Sequence, residues 1–153
     1  VADIIPALAD FVSVKRRMEV IGVAAGVTVY DDFAHHPTAI ATTLAGLRAR
    51  VGNARIVVAM EPRSNSMRLG AHSAYIAPSL TDADAVVFLH RPELPWDAEA
   101  VVSALKGDGR TAASVDALIE TLTAMARSGD HLVFMSNGGF EDAPRRCLKA
   151  LQS

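Results

Sequence analysis

The sequence predicts an α/β domain of Rossmann-like, three-layer form: a mainly parallel sheet with helices on both faces and an N-terminal β-hairpin. Three observations predict it. Short apolar runs of strand length, such as Ile56 to Met60 and Ala85 to Leu89, recur along the chain. They alternate with longer stretches whose apolar residues fall at helical spacing. The strand runs are apolar throughout rather than alternating, which is the mark of strands buried on both faces.

The elements follow in order. Ile4, Ile5, Leu8 and Phe11 are spaced as a short helical tail. A basic run, Lys15-Arg16-Arg17, leads into an alternating stretch from Met18 to Val23, and Ala24-Ala25-Gly26 is turn chemistry into a second strand,. Strands are then expected at Val27–Tyr30, Arg55–Met60, Ala85–Leu89 and His131–Met135, with a weaker one at Thr111–Ser114. Helices are expected over Thr38–Arg50, Met67–Leu80, Asp97–Leu105, Asp116–Ala126 and Ala143–Leu151. The first shows Ile40, Leu44 and Leu47 on one face, and the fourth shows Leu118, Ile119 and Leu122. No internal repeat or interior linker interrupts this pattern.

Bulk composition removes several function classes. The 153 residues are half apolar and 21% charged, an ordinary globular balance for one domain with a real core,. A net charge of -2 gives no general attraction to nucleic acid or to an anionic membrane,. No apolar run approaches the roughly 20 residues that span a bilayer. The single cysteine, Cys147, fits a reducing cytoplasm and sits near no positioned histidine, which argues against a catalytic thiol,. The chain begins at Val1 without an initiator Met, as a processed product or a piece of something longer would; the motifs below favour the second.

In such folds ligands sit outside the carboxyl ends of the strands. That rule selects the loops Asp31–Pro37, Glu61–Met67, His90–Trp96 and Ser136–Phe140. The first, Asp31-Asp32-Phe33-Ala34-His35-His36-Pro37-Thr38, holds two carboxylates and two imidazoles that burial would penalise unless partnered. It can bind Mg²⁺, touch a ribose or phosphate, or hold a transition metal; alternatively, Asp32 and Thr38 cap the next helix and the histidines face solvent. In the second, Arg63 beside Ser64 and Asn65 suits a carboxylate, which a guanidinium grips with two charge-assisted bonds. The plain alternative is an exposed loop with Ser66 as a helix cap. In the fourth, Asn137-Gly138-Gly139 allows close backbone approach to a ligand, although Gly-Gly is equally good turn chemistry. Neither G-x-G-x-x-G nor G-x-x-x-x-G-K-[ST] occurs, so the chain by itself has no phosphate cradle. Trp96, His72 and the basic run are read as packing or surface residues.

Together these loops resemble those of the C-terminal domain of the Mur ligases. The resemblance is carried by Arg16-Arg17-Met18-Glu19, by Val29-Tyr30 with Asp31-Asp32-Phe33-Ala34-His35-His36-Pro37-Thr38, by Glu61-Pro62-Arg63-Ser64-Asn65-Ser66-Met67 and by Ser136-Asn137-Gly138-Gly139-Phe140. It covers the chain from about Lys15 to the end. It implies that residues 1–13 are the tail of a central ATPase domain or a linker, and that 14–153 are the amino-acid- or peptide-binding domain. The last two loops resemble the branch that joins L-alanyl-γ-D-glutamyl-meso-diaminopimelate to UDP-N-acetylmuramate in peptidoglycan recycling. The rival branch, which adds L-alanine, reads more like Q-P-H-R in the second loop and G-A-G in the last.

What the resemblance implies for this chain is specific. Arg17, or its neighbour Arg16, would reach the ATP phosphates on domain closure. Asp32 would contact the nucleotide through its ribose, with His35 and His36 flanking. Arg63, Ser64 and Asn65 would grip a carboxylate of the incoming tripeptide, and Asn137 with Gly138 and Gly139 would line the same pocket. ATP and Mg²⁺ would be bound mainly by the central domain. The expected partners are UDP-N-acetylmuramate, the murein tripeptide and the enzyme's own N-terminal and central domains, with no nucleic acid and no membrane. The isolated fragment would be inactive. Two other classes fit parts of the pattern: a non-catalytic peptide-binding module, and a metal-dependent hydrolase on Asp31, Asp32, His35 and His36, for which no second ligand cluster is evident.

Overall fold

The computed structural model describes residues 17–34, 36–61, 73–90, 98–136 and 140–152. They form a six-stranded sheet: β1 (Glu19–Ala24), β2 (Val27–Asp32), β3 (Ile56–Met60), β4 (Ala85–Leu89), β5 (Asp108–Ala112) and β6 (His131–Met135). The spatial order is β1-β2-β6-β3-β4-β5; β1 pairs antiparallel with β2, and every other pairing is parallel. The helices are α1 (Pro37–Val51), α2 (Ser73–Ser79), α3 (Ala98–Ala104), α4 (Val115–Met125) and α5 (Ala143–Gln152), the last preceded by a 3₁₀ turn, Phe140–Asp142. The fold is the Rossmann-like α/β arrangement expected. The tail Ile4–Phe11, the first half of the helix expected over Met67–Leu80, His72 and Trp96 lie outside the described residues.

Apolar side chains on alternate strand positions feed two separate cores. Tyr30, Ile56, Val58, Met60, Val86, Phe88, Val133 and Met135 face α1, α2 and α3, meeting Ile40, Leu44, Leu47, Ile76, Leu80 and Val101. Val27, Val29, Val57, Ala59, Val87, Leu89, Leu132 and Phe134 face α4 and α5, meeting Val115, Leu118, Leu122, Phe140, Ala143 and Cys147. The central strands are therefore buried on both sides, which is why their sequences lack alternation. Each fully buried aliphatic side chain, Leu44 or Leu118 for example, contributes about 1.5–3 kcal/mol,. On α4 the third buried position is Val115 rather than the expected Ile119, which is only partly covered.

The N-terminal hairpin turns through Ala25 and Gly26, at φ 53° and 77°. Positive φ at both central residues is what a two-residue type I′ hairpin requires. The register slips between Val20 and Gly22, so Ile21 is an extra residue in β1, and a bulge of this kind sends Val20 and Val23 to the same face of the sheet. Two elements differ from the sequence expectation. β5 lies at Asp108–Ala112 instead of Thr111–Ser114, because an exposed edge strand has no apolar pattern to mark it and Ser114 serves instead as the N-cap of α4,. β2 runs on through Asp31 and Asp32, which were expected in the loop.

Strands β3 and β6 are clamped at their amino ends. Asp130, just before β6, is buried and receives Nε and Nη2 of Arg55, just before β3, at 3.1 and 2.6 Å. The bidentate bond to Asp130 raises the Arg55 pKa, burial opposing it. Removing one member of such a pair leaves an uncompensated buried charge. Arg55→Ala is therefore expected to lower the unfolding free energy of the 153-residue chain by about 3 kcal/mol in urea titration; a loss below about 0.5 kcal/mol would show that the clamp is dispensable.

Candidate functional site

Three candidate loops leave adjacent strands. β6 lies between β2 and β3, so the loops after Asp32, Met135 and Met60 emerge side by side at the carboxyl edge of the sheet. Ser136 and Glu61 follow the paired residues Met135 and Met60. Both are buried, and the Ser136 hydroxyl donates to Glu61 Oε1 at 2.7 Å. Glu61 N–H in turn donates to Met135 O at 3.0 Å, and Ser136 N–H to Asp32 O at 3.2 Å. The roots of all three loops are thus bonded to one another. Sequence reasoning named Glu61 and Ser136 only as the first residues of their loops. Their pairing depends on strand order, which no local pattern encodes.

Asp32 ends β2 and is buried. Its Oδ1 accepts from Ala34 N–H at 2.7 Å and its Oδ2 from Met18 N–H at 2.8 Å. Burial pushes the carboxyl above its ordinary value; the Ala34 and Met18 amides pull it down, Asp31 adds upward repulsion and Arg17 opposes it. The reading in which Asp32 caps the following helix is corrected by this geometry. The N-cap of α1 is His36, extended at φ -101°, ψ 149° and without a side-chain cap bond, and Pro37 opens the helix as its fixed φ allows,. Thr38 lies within α1 rather than capping it.

Asp32 stands at the wall of a cleft of about 480 Å³ lined by Arg17, Met18, Asp32, Phe33, Ala34, Ala39, Thr42 and Thr43. Arg17 and Asp32, predicted to serve one ligand, are brought together here. Phe33 is 47% exposed beside them, and the α1 residues that complete the wall are small. One guanidinium, one carboxylate and an open aromatic can meet one edge of a nucleotide. A triphosphate needs more backbone amides and cations than the described residues of this cleft supply,. Among the described residues no group of three or more His, Cys, Asp or Glu side chains could hold a metal ion. Arg16, His35, Arg63, Ser64, Asn65, Asn137, Gly138 and Gly139 lie outside the described residues. His36, which is described, is exposed at the mouth of α1.

Cys147 is buried in α5, and burial pushes its thiol up to about 12. This agrees with its reading as inert. Among the described residues no helix is long and apolar enough to cross a membrane.

Fold and sequence together define a Rossmann-like α/β domain whose candidate ligand edge is built by β2, β6 and β3, with no phosphate-loop motif in its sequence. The family model described as Mur ligase, glutamate ligase domain matches residues 16–138, and the chain belongs to this family as the C-terminal domain of a Mur ligase. It is 46% identical to the UDP-N-acetylmuramate–L-alanyl-γ-D-glutamyl-meso-2,6-diaminoheptandioate ligase of Escherichia coli K12, over 98% of this chain and 33% of that enzyme. It is 36% identical to the UDP-N-acetylmuramate–L-alanine ligase of Streptomyces coelicolor, over 98% of this chain and 34% of that enzyme. The crystal structure of a murein peptide ligase from Psychrobacter arcticus superposes with a TM-score of 0.81 at 41% identity, covering 91% of this chain and 30% of that one. The chain therefore spans about a third of the length of the curated relatives it matches.

Two outcomes test the site's construction. Ser136→Ala removes the donor to a buried carboxylate and is expected to destabilise the chain by about 1–3 kcal/mol in urea titration, an unchanged midpoint contradicting the anchor. Cys147 is expected to resist iodoacetamide at pH 8 in the native chain and to react once the chain is unfolded; rapid native alkylation would show the thiol to be reachable.

Proposed function

We propose that this chain is the peptide-binding domain of an ATP-dependent amide-forming ligase that joins L-alanyl-γ-D-glutamyl-meso-diaminopimelate to UDP-N-acetylmuramate in peptidoglycan recycling. The observation that carries the reading is the 46% identity to a tripeptide ligase over nearly the whole chain. The sequences of the Glu61–Met67 and Ser136–Phe140 loops support it. So does the Ser136–Glu61 bond, which roots these loops against each other and so favours a shared pocket.

The chemistry follows from the substrates. ATP transfers its γ-phosphoryl group to the muramate carboxylate, releasing ADP and leaving an acyl phosphate. The α-amine of the tripeptide attacks that carbonyl carbon; the tetrahedral adduct loses the amine proton and expels phosphate, leaving the amide. This domain's share is orientation and charge placement. Arg63, with Ser64 and Asn65, holds a carboxylate of the tripeptide, and Asn137 with the Gly138-Gly139 backbone lines the same pocket. Arg17 and the Asp32 edge, flanked by His35 and His36, meet the nucleotide when the domains close. Holding the amine within reach of the carbonyl converts a bimolecular step into an effectively unimolecular one, and closure keeps water from the acyl phosphate. Mg²⁺ supplies charge neutralisation at the phosphates, from ligands on the other domains.

The test uses the full-length parent protein with ATP, Mg²⁺ and UDP-N-acetylmuramate, offering L-alanine and the tripeptide separately. Phosphate release with the tripeptide is expected. Release with L-alanine alone would move the chain to the L-alanine branch. In the same protein, Arg63→Ala is expected to raise the tripeptide KM roughly tenfold to a hundredfold while leaving the ATP KM nearly unchanged; an unchanged tripeptide KM would remove Arg63 from the pocket.

A further inference from the structure

β3 is apolar and buried from Ile56 to Met60, and the residue that follows it, Glu61, is 3% exposed yet carries a charge. A carboxylate taken out of water is costly unless bonds offset the loss. Here the Ser136 hydroxyl, itself buried, donates to Glu61 Oε1 at 2.7 Å. The sheet does not depend on that bond. β3 and β6 are paired through their backbones from Ile56 and His131 to Met60 and Met135, and the Glu61 amide extends the ladder by donating to Met135 O. An apolar residue at 61 would continue the strand with no charge to satisfy. What the bond adds lies beyond the strand ends. Glu61 is held by its amide and by its carboxylate, and the next residue in sequence is Pro62. A proline ring fixes its own φ and keeps the residue before it extended, so the chain leaves for Arg63 along a stiff lead from a pinned root. Ser136 is likewise held by its amide, to Asp32 O, and by its hydroxyl, and Asn137 is next in the chain.

We propose that Glu61 and Ser136 are positioning residues for the incoming peptide: the bond between their side chains sets the spacing of Arg63 and Asn137, and with it the grip on the peptide carboxylate. The proposal rests on the reading above, in which those two residues line one peptide pocket. Glu61 and Ser136 themselves do not touch the peptide. With the bond cut, each loop keeps its backbone anchor but loses its fixed relation to the other. Peptide binding then weakens, while the nucleotide, met at the Arg17 and Asp32 edge, is bound as before.

The experiment compares Ser136→Ala with the double variant Glu61→Met, Ser136→Ala in the full-length parent, reading the KM for tripeptide, the KM for ATP and the urea midpoint of each. Ser136→Ala takes its donor from a buried carboxylate and is expected to lose both stability and tripeptide affinity. The double variant removes both polar partners at once, which restores most of the lost stability, and methionine is unbranched and fills the space of the glutamate. Its tripeptide KM is nevertheless expected to stay about tenfold above wild type, with the ATP KM within about twofold. A tripeptide KM that returns to wild type along with stability would show that the bond serves the fold alone, and would overturn the proposal. So would an equal rise in both KM values. A second readout asks whether the pair acts through the arginine. In an Arg63→Ala background the penalty of the double variant is expected to shrink to less than about threefold, and penalties that multiply would overturn the proposal.

Should Ser136→Ala fail to fold, the double variant and Glu61→Gln carry the test. Glutamine keeps a carbonyl oxygen that accepts from the Ser136 hydroxyl, and it is expected to recover most of the tripeptide affinity that the double variant loses. A loss in Glu61→Gln as large as in the double variant would overturn the bond as the operative contact. Absence of phosphate release by the wild-type parent with ATP, UDP-N-acetylmuramate and tripeptide would instead bring down the ligase reading, and the proposal with it.

Discussion

The last strand of the chain, β6, lies between the first two parallel strands, and the core and the candidate site both depend on that insertion. It is fastened at each end. At the amino edge Asp130 takes the Arg55 guanidinium, and His131 Nδ1 meets the Tyr30 hydroxyl at 2.8 Å. Burial, reinforced by the positive Arg50, holds the His131 imidazole below its ordinary value, which keeps it neutral beside that hydroxyl at pH 7. At the carboxyl edge Ser136 bonds Glu61 through its side chain and Asp32 through its amide. Between the two edges, Leu132, Val133, Phe134 and Met135 are buried, feeding both cores alternately. The loops after β2 and β3 leave strands two spacings apart, and β6 between them joins their roots.

The same insertion explains why chemically different loops share one edge. A parallel sheet sends every strand's carboxyl end to the same side, and the loops there are free to carry polar residues because the strands below supply the core. Asp32 is an exception within this scheme, as is its neighbour Asp31; Asp32 shows how the burial is met. It is a charged residue inside the last strand position, tolerated because two backbone amides satisfy it,. Through the Met18 amide it also ties the start of β1 to the end of β2.

Much of this was legible in the sequence. β3, β4 and β6 were readable because Ile56–Met60, Ala85–Leu89 and Leu132–Met135 are buried on both faces and so apolar throughout. β5 was misplaced because Asp108-Gly109-Arg110 at a solvent-facing edge carries turn-like composition. The site was legible as a set of loops but not as a set of bonds. Asp32 stood out as a carboxylate, yet its partner is the Met18 backbone amide, and every residue type except proline offers one. The pairing of Glu61 with Ser136 follows from Met60 lying opposite Met135. That register comes from the tertiary placement of β6, which the local periodicity of neither strand contains.

The most direct measurement of the central claim, that substrates gather at the carboxyl edge joined by β6, is amide hydrogen exchange on the full-length parent with and without ATP, UDP-N-acetylmuramate and tripeptide. Added protection is expected at 17–18, 31–34, 61 and 136. The amino edge of the same strands, at 26–27, 55–56, 84–85 and 129–131, should exchange as before. Protection confined to the amino edge, or spread evenly over both, would contradict the account.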